Sequence, residues 1–290
     1  MERDYRKYVI ALREVAKVGP KGFQQLLFVF GSPENIFDAT LEEITQLPRM
    51  SKENAEEILK SQDRFAEIEE HISFLEEQGI GIKTILDEDY PQGLKQINNP
   101  PPLFYHKGEI SLIRKLSVAV VGTHKATYEG IRYATKIGKE LAKRDVVVIS
   151  GLARGIDTAA HLGALAKQGK TYAVLGSGLN SIYPKENFTL ATEISKSGAL
   201  LTEYPLNSPV NVGQLIARNR IVVGLSQAVI VVESEDSASG TMNAVNKTIE
   251  QGKPLYAVVR EKSEGFQELV SSGAIPIRGY EDLDLVLNYL

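Results

Sequence analysis

The sequence predicts an α/β fold, a parallel sheet flanked by helices, preceded by a small all-helical domain. Three observations predict it. Residues 5–75 carry apolar positions at helical spacing. From Ser117 onward, short β-branched runs alternate with helical segments. Those runs are almost wholly apolar, as strands buried on both faces are.

In the first region, YRKYVIALREV has helical periodicity, and VGPKGFQQLLFVFG is a Gly-Pro turn, an apolar helix and a terminating Gly31. Ser32 is an N-cap with Pro33 at the first helical position. Thr40 caps the next segment, LPRMSKENAEEIL repeats turn-then-helix, and 61–78 is an acid-rich amphipathic helix. Residues 79–116 read as a connector, with GIKTIL β-like, a Pro- and Asn-rich stretch, and LFYHKG able to pair at a sheet edge.

The third region starts at residue 117 and runs to 290. Its strands are SVAVVG, DVVVIS, TYAVLG, GALLTE, QAVIVVE and PLYAVV. Helices are expected near 130–143, 157–168, 186–196, 213–219 and 240–251, followed by one at FQELVSSG, a short strand AIPI and a last helix in EDLDLVLNYL. Right-handed crossovers put all strand C-termini on one edge, where such sheets bind ligands.

Bulk properties narrow the function. Hydrophobic residues make up 43% and charged residues 24%, as in ordinary globular proteins. With no cysteine and four unpaired histidines, thiolate chemistry and a transition-metal site are not expected. The N-terminus lacks the apolar stretch of a signal peptide, and no run approaches the ~18 apolar residues of a membrane span. The expectation is a cytoplasmic protein. Net charge is −4, but residues 1–110 carry −7, 111–260 carry +7 and 261–290 carry −4. A basic middle between acidic flanks suits a polyanion.

Five loops follow the strands. In the first, Gly122 ends the strand, and Thr123, Lys125, Thr127 and a helix N-terminus can hold a phosphate, with His124 between them. The second, SGLARGIDTAAH, offers Gly151 and Gly155 for close backbone approach and the guanidinium of Arg154; Asp157 is read as a helix cap and His161 as a packed neighbour. In the third, Lys185 lies between Tyr183 and Phe188, a cation among aromatics that suits single strands if the rings are not core. The fourth has Arg218, Asn219 and Arg220 before an apolar stretch, and two readings stay open: phosphate grip, or internal ion pairs to Glu203 or Glu233. The fifth runs from Glu233 through Ser237 and Gly240 to a helix N-terminus, and its acids Glu233, Glu235 and Asp236 suit ribose hydroxyls. There is no G-x-G-x-x-G fingerprint with its strand-two acid, no G-x-x-x-x-G-K-[ST] loop and no G-x-S-x-G elbow. No cofactor is expected.

In order, VAVVGTHKAT, VVVISGLARGIDTAAHLGAL, YAVLGSGLNSIYPKEN, LLTEYPL, ARNRIVVGLSQAVIVVES, SGTMNAV and QGKPLYAV resemble the DNA-processing protein A (DprA/Smf) family over about residues 80–275. The N-terminal part resembles that family's small helical domain of sterile-alpha-motif or helix-hairpin-helix type. The resemblance implies an extended Rossmann-like fold and a non-enzymatic homodimer that binds single-stranded DNA and delivers it to RecA recombinase in natural transformation. The patterning along the chain gives domains at 1–78, 79–116 and 117–290, and the resemblance implies that the last binds DNA. By position it implies a phosphate site from Gly122, Thr123, His124, Lys125, Gly151, Arg154, Gly155, Lys185, Arg218, Asn219, Arg220 and Gly240, with Phe188 as a base-stacking ring. The chain departs from the family at His124, where an Arg is usual, and at Arg260-Glu261, where Pro-Gly is usual; a C-terminal winged-helix domain is not expected. Arg49 and Ser51 stand where DNA-binding hairpins carry glycine, so the acidic N-terminal domain is expected to contact protein rather than DNA. Two alternatives use the same pocket. One is a phosphoribohydrolase, for which SASGTMNA lacks the paired glycines. The other is a mononucleotide-sensing module.

Overall fold

The computed structural model of the chain describes residues 4–111, 115–234, 240–259 and 264–288. Glu235, Asp236 and Ser237 of the fifth loop, and Arg260-Glu261, lie outside the described residues. The chain divides into two compact units, Met1–Tyr90 with Asn99–Tyr105, and Pro91–Asn98 with His106–Leu290.

The first unit is helical: α1 (Arg6–Ile10), running on into a π-helical turn, α2 (Pro20–Phe30), α3 (Pro33–Asp38), α4 (Leu41–Thr45), α5 (Lys52–Lys60) and α6 (Phe65–Glu77), then β1 (Ile80–Thr84). Its helix starts are side-chain capped as read. Ser32 Oγ accepts from Asn35 N (3.4 Å), and Thr40 and Glu43 form a reciprocal capping box. Ser51 Oγ accepts from Asn54 N at 3.1 Å. One apolar face of each helix turns inward, so that Leu12, Phe23, Leu26, Ile36, Ile44, Ile58 and Leu75 are fully buried. The turn before α5 places Arg49 at φ 62°, a left-handed conformation that favours glycine.

β2 (Leu103–Gly108) is divided between the units after Tyr105. The second unit adds α7 (Gln92–Lys95) and seven parallel strands among its described residues. They are β3 (Ser117–Val121), β4 (Val147–Ser150), β5 (Thr171–Val174), β6 (Ala199–Thr202), β7 (Ala228–Val231), β8 (Leu255–Val258) and β9 (Ile275–Ile277). Their order is β6-β5-β4-β3-β7-β8-β9. Beside β6, Glu109 N donates to Gly198 O at 2.9 Å, so the end of the LFYHKG segment runs along this edge. The helices are α8 (Tyr128–Lys143), α9 (Ile156–Leu165), α10 (Phe188–Ser197), α11 (Val212–Ala217), α12 (Asn219–Gly224), α13 (Gly240–Glu250), α14 (Glu264–Ser271) and α15 (Leu283–Leu287).

Strand residues alternate between faces. Val118, Val120, Val148, Ile230 and Tyr256 pack with Ala134, Ile137 and Leu141 of α8, Ile156 and Ala160 of α9, and Leu283 and Val286 of α15. The intervening Ala119, Ile149, Val229 and Val231 are buried as well, so both faces of the sheet are covered. The helix expected at 213–219 with its apolar continuation is two short helices meeting at Arg218. That residue keeps helical dihedrals (φ −66°, ψ −21°), and no Gly or Pro marks the joint.

Candidate functional site

β3 is central, with β4 to β6 added on one side and β7 to β9 on the other. The switch of direction leaves a crevice at the C-terminal ends of β3, β4 and β7. A pocket of about 390 Å³ lies there, within the range that binds small ligands. It brings together Gly122, Thr123, His124, Gly151, Arg154, Arg218, Asn219 and Gly240 from the expected set. Lys125, Gly155, Lys185, Arg220 and Phe188 do not line it.

Arg218 organises the pocket. Its side chain is only 6% exposed. Nη1 donates to the carbonyls of Gly151 and Val174, and Nε donates to Asn219 Oδ1 at 3.2 Å. A Cβ on Gly151 would sit 2.2 Å from the guanidinium, so glycine is what lets the cation reach this position. Among the described residues Arg218 makes no ion pair. Burial holds its guanidinium below its ordinary value, although Asp157 nearby favours the charge. Asn219 Nδ2 donates to Gly240 O (3.1 Å) and Asn243 Oδ1 (3.3 Å), joining the start of α12 to that of α13.

Asp157 is not the helix cap read from the sequence. Gly155, at φ 71°, starts α9 one residue earlier, and Asp157 Oδ2 reaches back to accept from Gly151 N (3.1 Å) and Ala153 N (3.3 Å). The carboxylate therefore clamps the second loop, and burial raises it above the usual range. His161 is fully buried. Thr171 Oγ1 donates to Val148 O (2.8 Å), so His161 Nδ1, 2.7 Å away, donates to Thr171 Oγ1 and Nε2 is left without a proton or partner. Burial lowers its pKa to about 3. It is a structural imidazole, and acid-base chemistry has no place for it.

The phosphate position expected at the start of α8 is filled from within the chain. Thr127 caps the helix through Gly130 N (3.1 Å), and Glu233 Oε2 accepts from Thr127 N (3.0 Å) and Oγ1 (3.1 Å). Glu233 O also accepts from Thr123 N at 2.9 Å. Of the two readings open for Arg220, the structure has the internal pair. Both its Nη atoms lie 2.6 Å from the Glu203 carboxylate, with both side chains largely buried.

The third loop supplies the pocket rim with Tyr183 and Pro184 rather than Lys185. Lys185 is exposed and, among the described residues, without an ion-pair partner. Phe188 is 64% exposed, not core. Arg154 pairs with Glu186 across an exposed rim. Sequence reasoning missed Asn187 within the same segment. Its Nδ2 donates to Leu152 O (2.9 Å) and Thr158 Oγ1 (2.8 Å), tying the third loop to the second. It also missed the apolar wall of Leu215, Ile216, Val222 and Ala244. Those residues carry no chemical signature, and only the fold places them together.

The fold and site define a doubly wound parallel sheet with a pocket in the crevice at its switch point and a buried guanidinium lining it, in no ion pair among the described residues. The chain belongs to the DNA recombination-mediator protein A family, that of DprA and Smf: the family's sequence profile matches residues 81–288. A SAM-like helix-hairpin-helix tandem profile matches residues 9–61. Protein Smf of Synechocystis sp. is 32% identical over 285 residues, spanning 94% of this chain and 70% of that protein. DNA processing protein DprA of Streptococcus pneumoniae is 37% identical over 205 residues, 69% of this chain and 72% of that one. Its X-ray structure superposes with a TM-score of 0.80 at 29% identity over 98% of both chains. A structure of DprA from Helicobacter pylori, described for its single-stranded DNA binding mode, gives a TM-score of 0.65 at 30% identity, covering 72% of this chain and 96% of that one.

Proposed function

We propose that this protein binds single-stranded DNA at the switch-point pocket and, as a cytoplasmic homodimer without catalysis of its own, delivers the strand to RecA recombinase during transformation or recombination. The observation that carries the reading is Arg218, a buried guanidinium that lines the pocket with no ion pair among the described residues. Burial makes this cation costly, Asp157 nearby offsets part of that cost, and a phosphate entering the pocket would add a direct charge-assisted partner. The apolar wall of Leu215, Ile216 and Val222 gives a sugar or base a dry surface, and Tyr183 and Phe188 stand exposed at or near the rim. Arg154 lines the pocket, and Lys125 and Lys185 follow the lining residues His124 and Pro184 in sequence, as cations for neighbouring phosphates. Arg220, paired with Glu203, acts as the brace of α12. In the same reading residues 117–290 are the DNA-binding domain, 1–78 a protein-contact domain and 79–116 their connector. The chain's relatives and its family membership support this, and Glu233 at the start of α8 argues against a mononucleotide phosphate bound in dinucleotide-fold fashion.

Fluorescence anisotropy of labelled oligo-dT tests it. Tight binding to the single strand, weak binding to the duplex and a loss of affinity as salt rises are expected, with Lys185→Glu weakening binding in a folded protein. Binding of a mononucleotide with none to oligonucleotides, or release of free base from a nucleotide, would overturn it. The RecA step is read by filament assembly on the single strand, which the protein is expected to accelerate, and the dimer by sedimentation.

A further inference from the structure

A stripe along the outward face of α8 carries four cations and one aromatic ring, bordered by the exposed Glu129 and Ile131. At 3.6 residues per turn, Tyr128, Arg132, Lys136, Lys139 and Lys143 fall within an arc of about 80°. The helix buries Gly130, Ala134, Ile137, Gly138 and Leu141 on the opposite side. A solvent face normally mixes both signs of charge; this stripe does not. Glu140 lies to its side, engaged by Lys143 (2.5 Å) and Arg144 (3.0 Å). Glu129 flanks it at the other end.

Two features distinguish the stripe from an ordinary solvated surface. Tyr128 is 83% exposed, so its ring stands in water at the end of the helix. Lys136 is held in place, with Nζ donating to Tyr280 Oη at 3.0 Å and lying 4.4 Å from that ring's centre. The stripe also continues the candidate site. His124 lines the pocket, Lys125 is exposed beside it, and Tyr128 follows three residues later. From Tyr128 to Lys143 the helix runs about 22 Å at 1.5 Å per residue, room for several further nucleotides.

We propose that the outward face of α8 is a second stretch of the single-strand path, with a base stacked on Tyr128 and successive phosphates on Arg132, Lys136, Lys139 and Lys143. This rests on the pocket reading above. An exposed ring in line with spaced cations matches an unpaired strand, whose bases are free to stack, and not a duplex, whose bases are not.

The test uses the full chain with two lengths of oligo-dT, one of a few nucleotides that fills only the pocket and one long enough to follow the helix too. For the wild type, the long strand is expected to bind more tightly. The double variant Arg132→Glu/Lys139→Glu spares the Lys136–Tyr280 and Lys143–Glu140 contacts. It is expected to lose on the order of tenfold or more on the long strand, with a salt slope shallower by about 1.4, and nothing on the short one. Tyr128→Ala, an independent variant, is expected to lose roughly tenfold on the long strand alone. If both variants bind the long strand as the wild type does, or lose both lengths equally, α8 is not part of the path. A wild type that binds neither length overturns the pocket reading itself.

Discussion

At the scale of single residues, the site depends on which atoms are allowed to approach. Gly151 lacks the Cβ that would collide with the Arg218 guanidinium. Gly151→Ala is therefore expected to push the cation off the carbonyls of Gly151 and Val174. Leaving two buried acceptors unsatisfied costs about 2–4 kcal/mol, read as a lower urea midpoint, and the variant is expected to bind oligo-dT more weakly. His161 gives a pH signature. Its value in the fold, about 3, lies below the ordinary 6.5, so the unfolded chain binds more protons between those limits. Stability is therefore full above pH 6.5 and falls as pH drops toward 3, by on the order of 4–5 kcal/mol over the whole window. Asp157, raised by burial, opposes this in the lower part of the range. A denaturant midpoint that declines from pH 6.5 to 5 in the wild type, and stays flatter in His161→Gln, is the expected result. The glycines of the second loop were legible as places of close approach, and Gly151 does admit the Arg218 guanidinium; the phosphate grip read for the Arg-Asn-Arg segment remains a proposal. Whether Arg220 faced solvent or Glu203 was not legible, since the pairing spans two loops distant in sequence.

At the scale of elements, α12 presents the site and is held from both ends. Gln251 Nε2 donates to Arg220 O at 3.1 Å. Lys253 Nζ donates to the carbonyls of Val223 (2.6 Å), Gly224 (2.9 Å) and Ser226 (2.6 Å) at its C-terminal end. A cation at that position satisfies orphan carbonyls and the negative end of the helix. Lys253→Met is expected to cost about 1–2 kcal/mol, read as a lower melting temperature. In the first unit, Arg49→Gly is expected to stabilise by roughly 0.5–1 kcal/mol, because a left-handed residue loses its steric penalty, read by the denaturant midpoint. The elements themselves were largely legible: the expected strands fall on β3 to β9, and Ser32 and Thr40 cap as read. The joint at Arg218 was not, because residues 213–224 are periodic throughout and the break is imposed by packing.

For the whole molecule, net charge misleads. The −4 total conceals a +7 stretch between acidic flanks, and affinity for a polyanion is set by the local charge. With three or four phosphates neutralised around the pocket, log affinity is expected to fall against log salt with a slope of about −2 to −3 for a single strand. A slope near zero would mean that no phosphates are gripped. The doubly wound architecture was legible from apolar strand runs alone, and it directs attention to the loops at one edge, where the pocket lies. Which of their residues converge on one pocket was not, since that depends on strand order.

The strand order also sets when the pocket comes into being. Within residues 117–290, synthesis makes the innermost strand first, then one wing outward from β4 to β6, and only afterwards the other wing. Val121 and Gly151 are thus in place early, Arg218 later, and the wall contributed by α13 last of all. The N-terminal two-thirds of the polypeptide lacks Arg218, Val222 and α13, and with them half of the pocket lining. The pocket is thus completed only once α13 has been made.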